Sequence, residues 1–161
     1  MKDVGAGLVS AREGVKERDN YQIQDDIMIG ILIISHGNLG DSLIHCASHV
    51  MGEKPQQLMH LGVTIQDDPD AVMPAALELV KQLDRGDGVL VLSDICGATP
   101  CNIASRLAKP GRVECLAGVN LPMLVRALTY RNEPLGAVAE KALSGGKEGA
   151  MRIDPSSRNA T

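Results

Sequence analysis

The sequence predicts an α/β protein: an open, mainly parallel sheet with helices on both faces. Three observations carry this. Short apolar runs alternate with longer amphipathic segments. The first run, Met28–Ile34 ("MIGILII"), has no polar alternation, which is the pattern of a strand covered on both sides. The segments follow one another in β-α-β-α order, so successive strands lie parallel and the helices between them pack over the sheet.

Each element has a local reason. Residues 41–51 place Leu43, Ile44, Ala47 and Val50 near helical spacing, and Gly52 follows as a stop. Residues 57–63 read as a second strand. The segment "DDPDAVMPAALELVKQLDRGDG" begins with capping carboxylates, has Pro69 near its first helical position and ends near Gly86. Pro74 falls inside this helix and is expected to disturb its early turns. Residues 88–93 ("GVLVLS") form a third strand. A helix then starts with Thr99 as cap and Pro100 as first residue, stopping before Pro110-Gly111. Residues 112–119 are a fourth strand, and "NLPMLVRALTYRN" repeats the helix start with Asn120 and Pro122. A further helix follows in "PLGAVAEKALSGG", and "GAMRID" reads as a last short strand.

Residues 1–27 differ from the rest: mixed charges, few large apolar residues and no sustained period. They read as a flexible extension, with Met28 a candidate natural start and a genuine, weakly ordered arm the alternative. Residues 28–154 form the domain and 155–161 a tail.

The 161 residues fit one domain. Aromatics are nearly absent, with two Tyr and no Trp or Phe, so the core must be Ile, Leu, Val, Met and Ala. That removes the stacking platforms of a single-stranded nucleic-acid binder, and a net charge of −4 without a basic stripe argues against phosphate-backbone binding. The longest apolar run is too short to span a membrane, and no stretch reads as a secretory signal. A cytoplasmic location is therefore expected, with Cys46, Cys96, Cys101 and Cys115 as reduced thiols.

In doubly wound sheets the working crevice lies beyond the carboxyl ends of the strands. Strand one ends at His36 and strand three at Asp94. On one rim, a carboxylate accepting from Nδ1–H fixes the imidazole tautomer and leaves Nε2 free as a nucleophile. Both strand ends run into Gly-bearing turns and helix starts, Gly37-Asn38-Leu39-Gly40 and Gly97-Ala98-Thr99-Pro100. Free amides at helix starts favour phosphate, and the Thr99 hydroxyl can cap its helix or donate to a phosphoryl oxygen. This set suits phosphoryl transfer through a phosphohistidine. Taken alone, it leaves open a structural histidine and a turn aspartate.

Three segments carry a resemblance: "MIGILIISHGNLGDSL", "GVLVLSDICGATPCNIASRLA" and "VECLAGVNLPMLVRAL". Together they resemble the enzyme IIA component of the mannose-type (mannose/fructose/sorbose) phosphotransferase system, over Met28 to Asp154. The resemblance implies that His36 accepts phosphate from phospho-HPr and donates it to an enzyme IIB partner. It puts the orienting aspartate at Asp94 and the site hydroxyl at Thr99. It also implies a cytoplasmic homodimer in which a last antiparallel strand, around Gly149–Ile153, is exchanged between protomers. Membrane association would come only through the transporter complex. No cofactor or metal is implied. Some members carry aromatic residues where this chain has Asn38 and Cys96, which bears on the partner rather than on the chemistry. The same phosphohistidine would also serve a regulatory module or a donor to a dihydroxyacetone kinase. A flavodoxin-like ligand binder without covalent chemistry is the reading from another class.

Other candidates are weaker. His45 and His49 stand four apart on a predicted helix without the Glu of H-E-x-x-H, so a helix face explains them better than a metal. His60 reads as a packed or half-exposed strand residue. Cys96 and Cys101 lack the C-x-x-C redox spacing; Cys96 reads as a buried small thiol with a redox switch as the alternative, and Cys46 and Cys115 as core. Met51, Met59, Met73 and Met123 occupy apolar positions in place of aromatics. Asp67 and Asp68 are explained by helix capping. Neither a P-loop nor a dinucleotide fingerprint occurs.

Overall fold

The computed structural model describes residues 27–154. Strand β1 (Gly30–His36) leads to α1 (Leu39–Met51), β2 (Leu58–Val63), α2 (Pro69–Leu83), β3 (Val89–Ser93), α3 (Thr99–Leu107), β4 (Val113–Ala117), α4 (Leu121–Tyr130) and α5 (Leu135–Glu148). The sheet order is β2-β1-β3-β4, and every pairing is parallel.

This order follows from chain direction and handedness. The step from β1 to β2 goes one way and carries α1 on one face. The steps from β2 to β3 and from β3 to β4 go the other way and carry α2 and α3 on the opposite face. The direction reverses between β1 and β3, so the crevice opens where those two strands end. Two cores flank the sheet. Ile29, Ile31, Ile33, Leu90 and Leu92 pack under α1, α4 and α5, and Leu32, Ile34, Val89 and Val91 pack under α2 and α3. Each buried Ile or Leu here contributes roughly 1.5–3 kcal/mol.

The caps largely fall as expected. Asp68 accepts from Asp70 N (3.0 Å) at the start of α2, and Asp67 closes the preceding turn on Thr64 N (2.6 Å). Asn120 accepts from Met123 N (2.9 Å) at the start of α4. Helix α2 runs through Pro74 without a break; lacking an N–H, Pro74 leaves only its own intrahelical bond unmade.

Several expectations are corrected. Residues 149–154 form no strand, and Met151 and Ile153 are exposed, because a strand exists only by pairing and no described residue pairs with this segment. Thr99 is the first residue of α3, with Ala98 at the cap position, so its hydroxyl does not cap. Cys46 is exposed: the inward stripe of α1 runs through Gly40, Leu43, Ile44 and Ala47 and passes it by. Cys96 is exposed on the loop between β3 and α3. Met51 also lies at the surface, at the end of α1. Cys115 is half-buried; burial pushes its thiol up to about 11, and it donates to Ala104 O. The N-terminal extension apart from Ile27, and the tail at 155–161, lie outside the described residues.

Candidate active site

Seven-residue β1 is buried until its last position, where His36 leaves the core with its side chain half exposed. Next to it, β3 ends at Ser93 and Asp94 follows. Residues fifty-eight apart in sequence thus meet: His36 Nδ1 lies 2.8 Å from Asp94 Oδ2. A carboxylate only accepts, so Nδ1 carries the proton and Nε2 presents its lone pair to the rim. The backbone N–H of His36 donates to the same Oδ2 (2.8 Å), and Ile95 N donates to Oδ1 (2.8 Å). Burial alone would raise the Asp94 carboxyl, but these bonds and the imidazole outweigh it and hold Asp94 below its ordinary value. The carboxylate is therefore ionised, fixed and directed at the imidazole.

The two turns are built to leave donors free. Gly37 (φ 53°) and Gly97 (φ 88°) hold left-handed backbone with open space where a Cβ would stand, so dihedral strain and not crowding calls for glycine. Gly37 N donates to Val63 O (3.0 Å), and Gly40 N donates to the buried Ser35 Oγ (2.9 Å). The backbone N–H groups of Asn38, Gly97 and Thr99 have no acceptor among the described residues. Asn38 stands at the cap position of α1 with no side-chain cap bond. The half-buried Thr99 hydroxyl is likewise unpaired among them. Unpaired amides at two helix starts beside an outward imidazole nitrogen form an anion-accepting rim.

His36, Gly37, Asn38, Asp94, Gly97 and Thr99 thus gather at one end of the sheet, as the strand-end rule required. The sequence reading missed three contributors: Ile95, whose amide clamps the second Asp94 oxygen; Ser35, whose hydroxyl holds the start of α1; and His60, which reaches Gly37 O. Only Ser35 had a signal, as a lone hydroxyl at the end of a buried apolar run. Leu39, the first residue of α1, and Ile65 and Ile95, on the loops after β2 and β3, expose apolar side chains at the same end. His45, Cys46 and His49 lie on the outer side of α1, and no group of three ligands suited to a metal occurs among the described residues. Nor does any described helix have the length and apolarity to cross a membrane.

Comparison with known proteins bears on the family and the fold. The mannose-specific EIIAB component of the PTS system from Escherichia coli K12 is 29% identical over 128 residues, covering 78% of this chain and 39% of that protein. This chain therefore spans about two-fifths of that relative's length. The fructose-specific EIIA component from Bacillus subtilis 168 is 30% identical over 105 residues, covering 65% of this chain and 71% of that one. The crystal structure of the phosphotransferase system component EIIA from Streptococcus agalactiae superposes with a TM-score of 0.69 at 26% identity, covering 78% of this chain and 97% of that one. Residues 30–143 match the model of the EIIA-man family, the PTS system fructose IIA component, and the chain belongs to that family.

Proposed function

We propose that the protein is a cytoplasmic phosphocarrier that receives a phosphoryl group on His36 Nε2 from phospho-HPr and passes it to an enzyme IIB partner during sugar uptake. The observation that carries this is the 2.8 Å contact between His36 Nδ1 and Asp94 Oδ2, which leaves the other ring nitrogen unbonded at a strand end whose neighbouring turns carry unpaired amides. The Nε2 lone pair attacks phosphorus in line, and the donor's N–P bond breaks with its electron pair returning to the donor imidazole. No proton need leave Nε2. The positive charge that develops on the ring is balanced by Asp94, whose proton contact at Nδ1 stays in place. The amides of Asn38 and Gly97, with the Thr99 hydroxyl, take the phosphoryl oxygens. Because the donor bond is already activated, positioning and electrostatics are sufficient catalysis and no metal is required. The exposed Leu39, Ile65 and Ile95 supply an apolar seat for a protein-borne donor.

Incubation with phosphoenolpyruvate, enzyme I and HPr, followed by intact mass, tests this. One phosphate per chain is expected, lost in His36→Ala; labelling of another residue in that variant rejects the assignment. The exposed Met151 and Ile153 support pairing of the last segment with a second copy, as the homodimer requires. Light scattering of the full chain checks it, and a monomer mass rejects it.

A further inference from the structure

His60 lies on β2, one strand away from the reacting pair, in register with Ile33 and on the α1 face of the sheet. Its imidazole sits beneath the loop that follows His36. A Cβ at Gly40 would come within 2.5 Å of His60 Cδ2, and a Cβ at Gly62 would stand 3.2 Å from His60 Nε2 and against the Gly37 carbonyl oxygen. Two glycines, one on α1 and one on β2, thus leave the space that the ring and the loop occupy. In that space His60 Nε2 lies 3.4 Å from Gly37 O. A carbonyl only accepts, so Nε2 carries the proton. The bond is long, and it is the close packing on Gly40 and Gly62 that places the ring.

The consequence comes from peptide geometry. No peptide bond among the described residues is cis, and in a trans peptide the C=O and the following N–H point in opposite directions. Holding the Gly37 carbonyl toward β2 therefore turns the Asn38 N–H away from β2. That is the side of β1 on which β3 and Asp94 lie. The same N–H has no acceptor among the described residues.

We propose that His60 is a positioning residue of the phosphoryl site: by fixing the Gly37–Asn38 peptide plane it aims the Asn38 N–H at the phosphoryl group carried on His36. This rests on the phosphocarrier reading of His36. His60 touches neither the phosphoryl group nor the reacting nitrogen. It acts through the loop, so its loss slows the chemical step and leaves the docking surface intact.

Two variants separate positioning from packing. His60→Phe keeps a flat ring of similar size and removes the donor. His60→Gln keeps an N–H donor at nearly the same reach. Phosphorylation of His36 is measured with phospho-HPr and, separately, with the small chemical donor phosphoramidate. The Asn38 backbone amide is followed by NMR before and after phosphorylation, and thermal melts check that both variants fold. With both donors H60F is expected to be about tenfold slower, the scale of one hydrogen-bond donor partly misdirected. With phospho-HPr that loss falls in kcat and leaves KM unchanged. H60Q is expected to restore most of the rate. The Asn38 amide should shift downfield on phosphorylation in wild type and H60Q, and stay in place in H60F. A wild type that gains no phosphate on His36 from either donor overturns the phosphocarrier reading, and this proposal with it. A phosphorylated wild type beside an H60F that is equally fast, with an equally shifted Asn38 amide, overturns the proposal alone.

Discussion

Asp84, near the amino end of β3, and Asp94, at its carboxyl end, each accept three hydrogen bonds. Asp84 takes Gly86 N (2.9 Å), Gly88 N (3.2 Å) and Arg112 Nη2 (2.6 Å). Asp94 takes His36 N, His36 Nδ1 and Ile95 N. In both, burial pushes the carboxyl up and the hydrogen bonds bring it below its ordinary value. What differs is the side chain that donates to it. Arg112 is permanently charged, donates to Asp84 and to Gly86 O, and has no lone pair to offer. His36 gives one nitrogen to Asp94 and keeps the other for reaction. The same carboxylate arrangement locks a turn at one end of the strand and primes a nucleophile at the other.

The surroundings repeat the contrast. At the amino end, Arg131 is 7% exposed and spends its guanidinium on the carbonyls of Gln56 (2.5 Å), Ile29 (2.9 Å) and Gln57 (3.2 Å). It also caps the carboxyl end of α4, where the helix dipole favours a cation, and its own carbonyl accepts from Ile29 N. Backbone acceptors there are consumed by the fold. At the carboxyl end, backbone donors are left over.

The sharpest way to break this comparison is Asp94→Asn beside Asp84→Asn. Loss of the carboxylate at His36 removes the tautomer lock and the counter-charge. Phosphoryl transfer should fall about 10³–10⁴-fold with the fold intact by circular dichroism. Asp84→Asn should leave the rate unchanged. Equal rates in D94N and wild type, or a comparable loss in D84N, would show that the two carboxylates are not differently employed.

Arg131→Met comes next. It takes the guanidinium from three carbonyls, of which Gln57 O keeps the Ile31 amide, and removes the link between the end of α4 and the starts of β1 and β2. Unfolding free energy should drop by about 3 kcal/mol in urea titration, with transfer per folded chain unchanged. An unchanged urea midpoint, or a rate loss beyond the unfolded fraction, would dissolve the division between the two ends.

The sequence made the rim legible for a specific reason. Buried parallel strands are continuous apolar runs, so the polar pair after each run, Ser35-His36 and Ser93-Asp94, marks the sheet's carboxyl edge. Gly37 and Gly97 were readable because turns that need positive φ select glycine. Contacts made across strands left no such trace. His60 looked like any half-exposed strand residue, since its role depends on Gly40 coming to rest above it. Ile95 works through its amide, which every non-proline residue has. The last segment was apolar enough to be a strand, but whether it pairs is a property of two chains, not of one. Thr99 was displaced by one position because Pro100 fits either of the first two helical places.

The smallest effect concerns acid. A carboxyl held low in the folded state contributes stability that is complete above its unfolded pKa, near 4, and vanishes as pH falls through the folded value. Between those points the unfolded chain binds the extra proton, so stability must rise with pH there. Asp84 and Asp94 both act in this window, one at each end of the sheet. Asp84→Asn removes one share of it. At pH 7 the cost should be small, because Asn still offers Oδ1 to the Gly86 and Gly88 amides and Arg112 is half exposed. Urea titrations at pH 7 and pH 3 should therefore show a smaller stability difference for D84N than for wild type. An equal difference in the two proteins would mean that the amino-end carboxylate is not held low by its turn, and that only the rim is sensitive to acid.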